Sequence, residues 1–171
     1  MRKKVRVAIP LLVKEILKND LKYYDMKMEK LCNIIIHELG YMKTLDLHRT
    51  LSEEIDVILN FNLNEVNSLT YRDMINEREE KTETKFFRKV LSTYVNLHPS
   101  LRERVIYKGL FRELNYAIKK RYAVKILVNR AIDIVTPLEV VRDEMTGYNI
   151  VKFQEENKVY KIKEIRLINI I

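Results

Sequence analysis

The stretch Lys4-Val5-Arg6-Val7-Ala8-Ile9-Pro10 decides how the N-terminal part of the chain is read. Large apolar Val5, Val7 and Ile9 alternate with Lys4, Arg6 and Ala8, which is the period of a strand with one buried face. Pro10 ends the alternation and suits the first turn of a helix. Beyond it, Leu12, Val13, Ile16, Leu17, Leu21 and Tyr24 recur at helical spacing, with Lys14, Lys18 and Lys22 on other faces. Asp25-Met26-Lys27 interrupts that pattern. A second helix follows with Met28, Leu31, Ile34, Ile35 and Leu39 inward, and Gly40 is placed to cap it. The order is strand, helix, helix. A lone short strand leaves its backbone groups without partners, and so small a unit buries too little surface to stand alone. The economical completion is a second copy of the chain, with the two strands pairing antiparallel about a two-fold axis, so a homodimer is expected.

On these residues the N-terminus resembles the ribbon-helix-helix family. The run VRVAIP, the first helix, the turn with apolar Met26 and the run MEKLCNIIIHELG carry the likeness, over residues 3–40. The resemblance implies that Lys4, Arg6 and Ala8 face a DNA major groove, where long cations bond guanine edges or phosphates and Ala8 touches only a thymine methyl. It also implies that the start of the second helix, at Lys27 and Met28, receives a phosphate on its free N–H groups. Arg2 and Lys3 add contacts to the DNA backbone. The same ribbon can instead serve as a protein–protein adaptor.

Working outward, residues 46–106 read as a helical linker region. Leu45, Leu47, Leu51, Ile55, Ile58 and Leu59 fit an amphipathic helix, with Thr50 or Ser52 as a start. Asn60-Phe61-Asn62-Leu63-Asn64 and Asn67-Ser68 read as punctuation between short helices. The tract Glu77 to Lys85 reads as a solvated helix face or linker. Phe86, Phe87, Val90, Leu91, Tyr94 and Val95 supply a buried stripe. His98-Pro99-Ser100 then precedes a long helix from Leu101 to about Arg121, which Gly109 weakens by up to about 1 kcal/mol.

From Tyr122 the period becomes extended. Val124 to Val128 is one strand, and Ile132 to Val141 is a second that Pro137 must bulge, break or confine to an edge. Turns at Glu144-Met145-Thr146-Gly147 and Glu156-Asn157-Lys158 lead into strands at Tyr148–Phe153, at Val159 to Ile165, and at Leu167 to Ile171. Short strands joined by tight turns point to a small barrel or strongly bent sheet. The expected fold class is α+β, divided into 1–45, 46–106 and 107–171.

Residues 110–166 resemble a WYL domain, an Sm-like barrel preceded by a helix. ELNYAIKKRYAVKILV, VTPLEVV, GYNIVKF and VYKIKEI follow one another in that family's order. Tyr148, Asn149 and Ile150 occupy the Trp-Tyr-Leu positions. Lys161 replaces the first arginine of the closing run, and Glu164 replaces the second, where a carboxylate would repel a phosphate. The resemblance implies a domain that senses a nucleotide, an oligonucleotide or a nucleic acid, in bacterial regulators and as a CRISPR accessory. On the residues, Lys161 and Lys163 lie two apart and are expected on one side of one strand, with Lys125, Arg130 and Lys152 on neighbouring segments. Tyr148 or Tyr160 is available for base stacking. The alternative is that the tyrosines are core residues and the lysines protect edge strands.

Charge separates the ends from the middle. Residues 1–45 carry 10 basic and 5 acidic side chains, residues 46–106 carry 9 and 11, and residues 107–171 carry 13 and 8, so both ends contribute +5 and the middle −2 to the net +8. Two basic ends suit polyanion binding, because each phosphate contact releases counterions. Catalysis finds no support: His37, His48 and His98 are isolated, and Cys32 stands alone. Three glycines cannot build a phosphate-cradling loop. The adjacent carboxylates Glu53-Glu54 and Glu79-Glu80 diverge on helices. No enzyme, metal or cofactor is expected. No apolar run approaches the roughly 20 residues that span a bilayer, so the protein is expected in the cytoplasm. The expectation is a homodimeric regulator that binds DNA with its ribbon and senses a ligand with its C-terminal domain. The alternatives are a single-stranded-RNA-binding accessory of a CRISPR effector and a dimeric adaptor.

Overall fold

The order strand, helix, helix occurs twice in the first of the two units into which the chain divides, Met1–Leu97 and His98–Ile171. The computed structural model describes residues 1–43 and 56–171. The first half of unit one is β1 (Lys4–Pro10), α1 (Leu11–Tyr24) and α2 (Met28–Leu39), and the second is β2 (Asp56–Asn62), α3 (Glu65–Glu77) and α4 (Glu83–Val95). Local chemistry sets the boundaries. Asp25 ends α1 in the left-handed region at φ 50°, while Asn64 and Thr82 cap α3 and α4 by accepting from the backbone N–H groups of Asn67 and Lys85.

β1 and β2 form a two-stranded antiparallel ribbon running from Lys4 opposite Asn62 to Pro10 opposite Asp56. The partner strand expected from a second copy therefore comes from the same chain. The halves interlock: α2 packs against α4, α4 against β1 and α1, and α2 against β2 and α3. Each second helix thus covers the other half's strand, as helices do across a two-fold interface. Val5, Val7 and Ile9 from β1 join Leu59 and Phe61 from β2 in a core with Leu17, Leu31, Ile35, Phe86, Phe87 and Leu91. Buried hydrogen bonds also cross between halves: the Tyr94 hydroxyl donates to Asp20 at 2.6 Å.

Two sequence expectations fail at β2. Asn60 to Asn64 is not punctuation between helices, since residues through Asn62 are strand. Ile58 and Leu59, assigned to an amphipathic helix, are strand as well, while Leu45, Leu47, Leu51 and Ile55, with His48, lie outside the described residues. The reason is visible in the pattern, because Leu59 and Phe61 are buried while Ile58, Asn60 and Asn62 are exposed, and a period of two wins once β1 offers a ladder to pair with.

Unit two begins with α5 (Pro99–Ile106) and α6 (Lys108–Lys120). The expected single helix is broken at Tyr107, whose φ of −112° and ψ of 34° leave the helical region. The break falls two residues before Gly109. Strands β3 (Val124–Val128), β4 (Ala131–Val135), β5 (Pro137–Arg142), β6 (Asn149–Phe153), β7 (Val159–Lys161) and β8 (Arg166–Ile170) follow. They make two three-stranded antiparallel sheets, ordered β4-β3-β8 and β5-β6-β7. Among the described residues no ladder joins these sheets, so the expected barrel is not closed. The strand expected from Ile132 to Val141 is broken at Thr136. Pro137 has no N–H to continue the ladder, and the Thr136 N–H is taken by the Glu155 carboxylate at 2.8 Å. The chain therefore changes sheets at that point. Phe111 and Leu114 of α6 pack with Val124, Ile126, Val151 and Phe153 in the core of this unit. Among the described residues no helix is long and apolar enough to cross a membrane.

Candidate nucleic-acid interface

The period of two gives the ribbon a dry face and a wet one. Opposite the core face, Lys4 stands across from Asn62, Arg6 from Asn60 and Ala8 from Ile58. Lys4, Arg6, Ile58, Asn60 and Asn62 are exposed, and Ala8 is half-buried. The side chains of Lys4, Arg6 and Asn60 have no hydrogen-bond or ion-pair partner among the described residues. Two cations and an amide are therefore held side by side on a rigid backbone, with their bonding capacity unspent. Asn62 is tethered, its amide nitrogen donating to Glu29 at 3.2 Å, and the Lys14 ammonium donates to the Ile58 carbonyl at 3.1 Å.

The other expected DNA contacts divide. Arg2 is exposed and only 3.9 Å from Glu29, a loose pair at the Lys4–Asn62 end of the ribbon. Lys3 shares the core-facing parity of Val5; its ammonium pairs with Glu83 at 3.0 Å and its backbone N–H donates to Ser68. Lys27 is the N-cap of α2, with no side-chain bond closing the first turn, and Met28 follows as the first helical residue. Glu29 places that helix start beside Asn62 and Arg2.

Beneath the ribbon, Asn33 of α2 is the positioning residue. It is buried. Its side-chain nitrogen donates to the carbonyls of Glu29 at 2.8 Å and Asn62 at 2.9 Å, and its oxygen accepts from the Asn64 N–H at 2.7 Å and the Asn67 amide at 2.9 Å. It holds the end of β2 and the start of α3 to the first half. Cys32 beside it is buried, and desolvation pushes its thiol up to about 12. That excludes a reactive thiolate.

Sequence reasoning missed Asn60 and Asn62. The signal was available as the alternation of Leu59, Phe61 and Leu63 with asparagines, but it competes with a helical pattern just upstream.

The residues expected to form one ligand face in unit two are distributed over both sheets. Lys125 lies on β3 between Ile134 and Asn169, and Arg130 lies in the β3–β4 turn at φ 65°. Both side chains lack partners among the described residues. Around the other sheet, Lys152 pairs with Glu139 at 2.9 Å. Tyr160 is half-buried, with its ring tilted 57° to that of Phe153 at a centroid distance of 5.7 Å and packed against the core. Tyr148 is half-buried immediately before β6. Lys161 ends β7, while Lys163 lies in the 3-10 turn Ile162–Glu164. The two lysines are therefore not on one strand: the Glu164 carboxylate accepts from the Lys161 N–H at 3.0 Å and turns the chain there.

Asn149, at the centre of the WYL-like triplet, is structural here. Its backbone N–H and side-chain amide donate to buried Glu103 at 2.7 and 2.8 Å, and the same amide donates to the Ser100 carbonyl at 2.8 Å, which ties β6 to α5. Among the described residues no three His, Cys, Asp or Glu side chains gather as a metal site requires.

No family model and no curated protein matches the chain. A solved structure of a CRISPR Cas-related protein is similar along the whole chain, with a TM-score of 0.71 at 14% identity. The chain spans 64% of that protein's length. At this identity the likeness is one of fold alone.

Proposed function

We propose that the chain is a non-enzymatic, cytoplasmic nucleic-acid-binding regulator that holds duplex DNA against the outer face of the β1–β2 ribbon. In this reading unit one is a ribbon-helix-helix module whose two halves are fused in one chain, and unit two is a WYL-like sensing domain. The observation that carries it is the set of exposed, unpartnered Lys4, Arg6 and Asn60 side chains on one side of a two-stranded ribbon. A ribbon of that kind enters a major groove. The uncapped start of α2 beside it offers N–H groups to a phosphate.

The test is fluorescence anisotropy with labelled duplex DNA over a range of salt. The slope of log affinity against log salt is about −0.9 per phosphate contact. Lys4→Ala then makes the slope shallower by about 0.9, whereas a ribbon built from two chains would lose about twice that. No duplex binding at low salt, or binding unchanged in Lys4→Ala/Arg6→Ala, would overturn the reading.

A second reading, a single-stranded-RNA-binding accessory of a CRISPR effector, is favoured by the likeness to the CRISPR Cas-related protein. It predicts sequence-tolerant RNA binding that is lost in Lys161→Ala/Lys163→Ala and indifference to duplex DNA.

A further inference from the structure

Because both strands of the ribbon come from one chain, their outer faces need not match, and they do not. Counting each strand from its start, the positions related by the local two-fold are Lys4 and Asp56, Arg6 and Ile58, Ala8 and Asn60. A cation is answered by an acid, a guanidinium by an aliphatic side chain, and a methyl by an amide. The ladder brings the polar members to one end: Lys4 beside Asn62 and Arg6 beside Asn60, with Arg2 near Glu29 at the same end. The other end carries Ala8, Ile58 and Pro10; there Asp56 is paired with Arg88 at 2.9 Å and the Lys14 ammonium is spent on the Ile58 carbonyl.

We propose that one copy of this chain recognises a non-palindromic duplex DNA site, with Arg6 reading a guanine and Asn60 a neighbouring adenine, and with Ala8 and Ile58 set against thymine methyls. This rests on the DNA-binding reading above and adds the form of the target. Arginine bonds the guanine O6 and N7 in pairs, and asparagine bonds the adenine N6 and N7. Residues directly opposite on a ribbon have Cβ atoms about 5 Å apart, and base pairs are spaced by about 3.4 Å. Arg6 and Asn60 therefore reach the same or adjacent base pairs. Neither has to break an existing bond to do so. The pseudo-equivalent positions, Ile58 and Ala8, can make neither contact, so the second half of an inverted repeat would meet a surface unable to read it.

The experiment selects binders of the full chain from duplexes with a randomised centre at low salt, then measures chains per duplex by sedimentation. The expected result is an enriched motif without dyad symmetry, bound by one chain. Arg6→Ala should level the preference at the guanine, a loss of about 5- to 150-fold in discrimination, and leave the adenine preference in place. Asn60→Ala should do the converse. An enriched inverted repeat, two chains per duplex, or loss of the same positions in both variants would overturn the inference and leave duplex binding standing. If no duplex is retained even at low salt, both the inference and the DNA-binding reading fall.

Discussion

Replacing Asn33 with alanine tests whether the two halves of unit one are joined as described. The side chain satisfies the Asn62 carbonyl and the Asn64 N–H, and both bonds are lost when it is removed. The Glu29 carbonyl keeps its helical bond, and the Asn67 amide keeps the Asn33 carbonyl at 2.9 Å. Two stranded groups at about 1–3 kcal/mol each would give about 2–6 kcal/mol. Asn62 is at an exposed strand end where water can reach its carbonyl, so the lower half of that range, about 2–4 kcal/mol, is expected. That is a large share of a typical stability of about 5–15 kcal/mol. It corresponds to a fall in Tm of about 10–25 °C for a unit of this size. Urea and thermal unfolding followed by circular dichroism measure it. Asn62→Ala keeps its carbonyl bond to Asn33, loses only the exposed link to Glu29, and should change stability by no more than about 0.5 kcal/mol. If Asn33→Ala were as mild as Asn62→Ala, the claim that this residue clamps the second strand to the first half would be refuted.

Other outcomes follow from single features. Cys32, with its thiol at about 12, has only about one ten-thousandth of its population as thiolate at pH 8; it should resist iodoacetamide in the native protein and react promptly in urea, which mass spectrometry reads directly. Ala at Gly40 would overlap the sulfur of Met74 on α3. It should cost about 1–3 kcal/mol in urea unfolding, and a cost near zero would refute that close approach. At His98, desolvation and then the guanidiniums of Arg142 and Arg102 push the imidazole below its ordinary 6.5. A lowered folded value means that its contribution is complete above about pH 6.5 and is lost as the pH falls from there through the folded value. Thermal unfolding of unit two should weaken over that window, and His98→Gln should flatten the dependence; identical profiles would refute it.

The sequence by itself determined the elements that solve their own local problem. The alternation of Val5, Val7 and Ile9 specifies a strand, and the spacing from Leu12 to Leu39 specifies two helices. Lys4, Arg6 and Ala8 are placed on the opposite face of that strand by parity alone. Tertiary structure decided what completes them. A strand's need for a partner is written in its backbone, but which strand fills it is not, and β2 lay beneath a competing helical pattern until β1 was there to pair with it. The same holds in unit two. Pro137 announces a break, yet only the Glu155 carboxylate on the Thr136 N–H shows that the chain changes sheets there. Likewise, the Glu164 contact at Lys161 separates two lysines that strand periodicity alone would have set side by side. Pairing, register and turn direction depend on groups far apart in the chain. Local periodicity carries no information about those groups.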